Sequence, residues 1–171
     1  MDNELDGMDY IRVDAIYNKE YPFLGSTLSH IKVINMFIES GDDMCVIMED
    51  DFTFTRDKNQ LLTDIGVEWD LIMLSGNVIK STPYNQYVDK VVNAQTSSGY
   101  MITKEFAKKL RVNFIEGYHK LQSSYEPSRY ALDIYWKLLQ PTSNWFIFNP
   151  KFGKQIASYS DNEKQFTDYN V

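Results

Sequence analysis

The chain has 171 residues, 43% hydrophobic and 24% charged, which suits one folded domain with a sizeable core. Its net charge of −7, from 17 basic and 24 acidic residues, disfavours nucleic acid and anionic membrane surfaces as partners. Cys45 is the single cysteine, so no internal disulfide forms, and no apolar run reaches the roughly 20 residues of a membrane span. The polar, acidic start from Met1 to Gly7 does not read as a signal peptide, and the expectation is a soluble cytoplasmic protein.

Asp9 to Ala15 alternates apolar and polar residues and predicts a strand. Ser26 is a plausible N-cap for a helix carrying Leu28, Ile31, Ile34, Phe37 and Ile38 on one face, ended by Gly41. Met44 to Met48 is a continuous apolar run, the pattern of a strand buried on both faces of a parallel sheet, and it stops abruptly at Glu49-Asp50-Asp51. A short helix is expected over Asn59 to Ile65 and a second buried strand over Trp69 to Leu74.

Gly76 to Lys90 is polar and reads as a mobile loop. Short strands follow at Val91-Val92 and Gly99 to Ile102, then a helix capped by Thr103 from Lys104 to about Arg111. Pro127-Ser128 opens a helix running from Arg129 to Leu139, stopped by Pro141. Trp145 to Phe148 is a late strand, and the polar tail from about residue 158 is expected to be partly disordered. Helices alternating with buried strands predict a single α/β sandwich, with a mostly parallel central sheet flanked by helices.

The acidic triplet carries the most chemical information. In open α/β sheets, ligands bind beyond the carboxyl ends of strands. Three carboxylates placed there are suited to a hard divalent cation, Mg²⁺ or Mn²⁺, that in turn clamps a diphosphate. The competing explanation is an acidic turn facing solvent. A metal-dependent hydrolase is a further class, but with two histidines in the chain and no acidic-histidine cluster it ranks low.

Gly25-Ser26-Thr27-Leu28-Ser29-His30, followed by Val46-Ile47-Met48-Glu49-Asp50-Asp51-Phe52, resembles the lipooligosaccharide and procollagen galactosyltransferase family, glycosyltransferase family 25. Trp69 to Leu74, Ser98 to Glu105, Asp133-Ile134-Tyr135-Trp136 and the closing stretch Gln155 to Asp161 resemble later segments of that family, in the same order. The resemblance implies a GT-A-like fold and an inverting transfer of a hexose, galactose favoured. The donor would be a nucleoside-diphosphate sugar (a UDP-sugar favoured) and the acceptor a glycan or a hydroxylated protein group, with Mn²⁺ as the favoured ion.

By position, Asp51 is implied as the direct metal ligand. Glu49 and Asp50 are implied at the metal, its water shell or the ribose, with Ser29 and His30 supporting the donor site and Asp133 as the base. Each has a plainer alternative. Asp133 could pair with Arg129 on a helix surface, His30 could be structural, Ser98-Gly99 could be a simple turn rather than a place where backbone approaches a sugar, and Asp161 could lie in a solvated tail.

Family members also begin with a strand of the type hydrophobic-Ile-Asn-Leu-Asp-Arg that has no counterpart here, so the sheet is expected to lack one strand. That absence leaves a non-catalytic relative, binding a sugar nucleotide or glycan as an assembly partner, as the alternative function.

Overall fold

The computed structural model describes residues 5, 7–61 and 64–156, together with the backbone of 158–160 and 165–167. In chain order the elements are α1 (Pro22–Ser40), β1 (Met44–Met48), β2 (Phe52–Phe54), β3 (Leu71–Met73), β4 (Asn77–Pro83), β5 (Val88–Gln95) and β6 (Gly99–Thr103). There follow α2 (Lys104–Ser124), α3 (Pro127–Tyr130), α4 (Leu132–Tyr135), β7 (Trp145–Phe148), β8 (Gly153–Gln155), β9 (Ser158–Ser160) and β10 (Gln165–Thr167). No helix of the described residues is long and apolar enough to cross a membrane.

The architecture is α/β, but the main sheet is mixed rather than mostly parallel. Its order is β1-β6-β3-β7-β5-β4, and β3 with β7 is its one parallel pair; β1-β6, β6-β3, β7-β5 and β5-β4 are antiparallel. The expectation failed for a physical reason. A continuous apolar run reports that both faces of a strand are covered, and parallel pairing is only the commonest way to achieve that.

Here the two faces are covered by different material. Leu71, Met73, Tyr100, Ile102, Trp145 and Ile147 point into a core built with Ile34 and Phe37 of α1 and Phe106, Leu110 and Phe114 of α2. Their neighbours Ile72, Met101, Phe146 and Phe148 point the other way, onto Phe52, Ile65, Leu74 and Phe152. Strand periodicity of two thus feeds two cores at once. β1 is an edge strand, and only Ile47 within it is fully buried.

Several local expectations hold. α1 ends at Gly41 in the left-handed conformation, φ 92°. Thr103 caps α2 by accepting the Phe106 amide at 3.3 Å. Others are corrected. α1 starts at Pro22, with proline in the first turn, rather than after Ser26. α2 runs on to Ser124, well beyond Arg111.

The polar stretch expected as a mobile loop is mostly hairpin. β4 and β5 pair across a turn in which Asn85 Oδ1 accepts the amides of Tyr87 and Val88. The helix expected from Arg129 to Leu139 is broken at Ala131, whose ψ of 149° is extended, giving α3, α4 and two single 3₁₀ turns. Where a helix was expected over Asn59–Ile65, the described residues carry a single 3₁₀ turn, Lys58–Gln60. In the tail, β9 pairs with β10, while Asp161 lies outside the described residues.

Asp9 to Ala15 is not a strand. Residues 9–18 carry no helix or strand and form a strap along the outside of α1. The Ile16 amide donates to Ser29 Oγ at 2.8 Å, and Lys32 Nζ donates to the Asp14 carbonyl at 3.2 Å. The Ile16 carbonyl lies against Gly25, where an added Cβ would stand 2.5 Å from that oxygen. The glycine in this helix therefore serves the close approach of strap to helix.

Candidate active site

The acidic triplet does sit where a strand ends. The Phe52 amide donates to the Glu49 carbonyl at 3.1 Å, so residues 49–52 form a tight turn between β1 and β2. The turn is held from behind. β2 pairs antiparallel with β8, the Ile156 amide donates to the Asp51 carbonyl at 2.8 Å, and Gln155 Nε2 donates to Asp51 Oδ2 at 2.7 Å. Phe52 is the anchor, buried between Gly99 and Gly153. A turn makes successive side chains diverge, which relieves the repulsion among three carboxylates. Glu49 turns toward α1, Asp50 faces outward and exposed, and Asp51 turns toward β8.

Glu49 heads a hydrogen-bonded chain. Its Oε1 receives Ser97 Oγ at 2.6 Å and meets His30 Nε2 at 3.1 Å, while His30 Nδ1 meets the Tyr100 hydroxyl at 3.1 Å. Burial raises the pKa of the Tyr100 hydroxyl well above its usual value, so the phenol stays protonated. The imidazole thus bridges the phenol and the Glu49 carboxylate, one ring nitrogen to each. For Glu49 itself burial alone would raise the pKa. The hydrogen bond and charge of His30 and the Ser97 hydroxyl outweigh that and hold the carboxyl below its usual range. His30 is thus a partner of Glu49, 6% exposed, with its ring near-parallel to that of Tyr100.

Asp133 lies across from this chain, placed there by the helix break at Ala131. It does not pair with Arg129, which bonds Glu126 instead at 2.9 Å. Its Oδ2 accepts the Thr96 amide at 3.0 Å. Thr96 holds φ at 80°, a left-handed conformation that β-branched residues rarely adopt, and such strain is concentrated at functional positions. Burial pushes the Asp133 carboxyl above its usual range. The Thr96 amide opposes that, the Glu49 charge adds to it, and Lys137 opposes it again. Lys137 is held by Gln95 Oε1 at 2.6 Å.

One cleft of about 1460 Å³ brings these groups together. Ser29, His30, Glu49, Asp50, Asp51 and Asp133 all line it, with Gln95, Thr96, Ser97 and Gln155. Ser29, however, has its hydroxyl engaged on both sides, donating to the Gly25 carbonyl at 2.8 Å and accepting the Ile16 amide. It fastens the strap.

Ser98 and Gly99 do not line the cleft. Ser98 is buried, its hydroxyl 2.6 Å from that of Ser75, and its carbonyl accepts the Glu49 amide at 2.8 Å. The missing side chain of Gly99 makes room for the Phe52 ring, so the approach to a sugar inferred for it is corrected to internal packing. Ser97, Thr96, Tyr100 and Gln155 were not singled out as site residues from the sequence. The polar run Thr96-Ser97-Ser98 before an apolar strand was a local hint; Gln155 opens the closing stretch of the family resemblance, but nothing in the sequence tied it to Asp51, 104 residues away.

Among the described residues, no group of three or more His, Cys, Asp or Glu side chains is arranged to hold a metal ion. Asp50 and Asp51 offer only hard oxygen donors at the cleft wall. That sparse set fits an ion of the Mg²⁺ or Mn²⁺ kind, which is commonly held by one or two carboxylates and completes its shell with water and phosphate. No family model matches the chain, and no curated protein shows a significant match to it.

Proposed function

We propose that this chain is an inverting glycosyltransferase domain. It would move a hexose, galactose favoured, from a UDP-type donor to a hydroxyl of a glycan or hydroxylated protein, on a GT-A-like variant of the α/β fold. The observation that carries the proposal is the meeting of Asp133 and the Glu49–Asp51 turn in one cleft, with the carboxyls of Asp133 and Glu49 biased in opposite directions. Two carboxylates with opposed environments are the mark of divided acid–base labour.

Asp51, with Asp50 beside it, would hold a divalent ion, Mn²⁺ favoured, which when bound neutralises the diphosphate as it leaves. Gln155 fixes the Asp51 carboxylate from behind. Glu49, kept ionised by His30 and Ser97, serves the ribose or the ion's water shell. Asp133 takes the proton of the attacking hydroxyl as the new bond forms at the anomeric carbon and the bond to the phosphate oxygen breaks on the opposite face. A base with a raised pKa suits that step near neutrality, and the Thr96 amide keeps its carboxylate oriented.

The test is turnover of UDP-galactose with Mn²⁺, against hydroxyl acceptors and water. Turnover lost in Asp51→Ala and in Asp133→Asn supports the assignment. Binding of UDP-galactose and Mn²⁺ without turnover refutes catalysis and leaves a sugar-nucleotide-binding relative. No binding refutes both.

A further inference from the structure

The cleft poses a charge problem. Seven carboxylates line it, and among the described residues lining it Arg12 is the one Lys or Arg side chain. A diphosphate carries at least two negative charges, and one divalent ion offsets only part of the repulsion from such a wall. Arg12 sits in the strap and is exposed. It joins none of the four ion pairs found among the described residues, although carboxylates line the same cleft. A guanidinium that lines the cleft and joins none of these ion pairs is a fork of donors available to an incoming anion.

Its backbone is not free to drift. Two residues on, the Asp14 carbonyl is held by Lys32, and four residues on, the Ile16 amide is held by Ser29 while its carbonyl rests on Gly25. This explains why Ser29, expected at the donor, spends its hydroxyl on the strap: it fixes the segment that carries the cation.

We propose that Arg12 is a phosphate-binding residue, closing on the diphosphate from the strap side while the Asp50-Asp51 turn grips it through the divalent ion from the strand side. The inference rests on the donor-binding function proposed above and adds the residue and the substrate group it recognises.

Isothermal titration of the full chain with UDP and Mn²⁺, UMP and Mn²⁺, and Mn²⁺ alone tests it, in the natural sequence, Arg12→Ala and Arg12→Lys. Arg12→Ala should weaken UDP binding about tenfold, the scale of one charge-assisted contact near the surface. It should weaken UMP binding less and leave Mn²⁺ binding alone unchanged, with Arg12→Lys in between. UDP affinity unchanged in Arg12→Ala overturns the assignment. Equal loss for Mn²⁺ alone also overturns it, since Arg12 would then act through the shape of the cleft. If the natural sequence binds Mn²⁺ but not UDP, the donor function itself fails, an outcome visible without any variant.

Discussion

Gly99→Ala tests how the acidic turn is anchored. The added Cβ would stand 2.5 Å from both Cδ2 and Cε2 of Phe52, a ring only 2% exposed. Ordinary carbon contacts are about 3.5–4.0 Å, so the ring or the strand must move by about 1 Å. The ring has no easy retreat, because Gly153 backs it on the other side and a Cβ there would collide with Cζ. Overpacking typically costs about 1–3 kcal/mol, and closure on both sides argues for the middle of that range or above, about 2 kcal/mol.

Urea unfolding followed by tryptophan fluorescence measures this directly. Because Phe52 closes the turn that carries Glu49 to Asp51, the variant should also weaken Mn²⁺ binding several-fold. Adding Phe52→Leu should recover part of the stability, since the smaller side chain vacates the contested space. Unchanged stability in Gly99→Ala, or no coupling between the two substitutions, would refute the packing argument.

Asp133→Asn should abolish transfer, by about 100-fold or more for loss of a general base, yet stabilise the protein near neutral pH. The folded state raises this carboxyl's pKa, so its contribution to stability is greatest in acid and declines as pH rises through the raised value. The gain should therefore vanish below the usual carboxylate range, and a variant less stable at pH 7 would contradict this.

Glu49→Gln has the opposite sign. The folded state depresses this carboxyl's pKa, so its stabilisation is present above the usual carboxylate range and is lost as pH falls through the depressed value. Without added metal the variant should lose about 1 kcal/mol at pH 7, the difference between charged and neutral hydrogen bonds, with a flatter acid limb in a melting-temperature profile.

How much of this was legible in the sequence follows from what each signal physically reports. The runs at Met44–Met48, Trp69–Leu74 and Trp145–Phe148 announced strands because burial on one or both faces demands apolar side chains. They could not announce direction, because side-chain polarity does not encode which way a neighbouring strand runs. β4 was hidden because an exposed edge strand needs few apolar residues, and only Val78 and Ser81 of its seven are partly buried. The break at Ala131 left no proline or glycine to mark it, yet it sends Asp133 into the cleft and leaves Arg129 to Glu126.

Within the site, the triplet was legible from its residue types, and Asp133 only through the family resemblance. Their supports were not, because Ser97, Thr96 and Gln155 act through positions that only the fold brings near.

The ribbon of β2 and β8 has a consequence for how the molecule assembles. It stitches Asp51 to a residue 104 positions later, so the most distant contact of the site forms only after the last sheet strand has been made. During synthesis the central layers have all their sequence before the acidic turn receives its backing. A nascent or proteolysed chain ending near residue 150 would keep every strand of the six-stranded sheet and still lack Gln155, a shape without its grip.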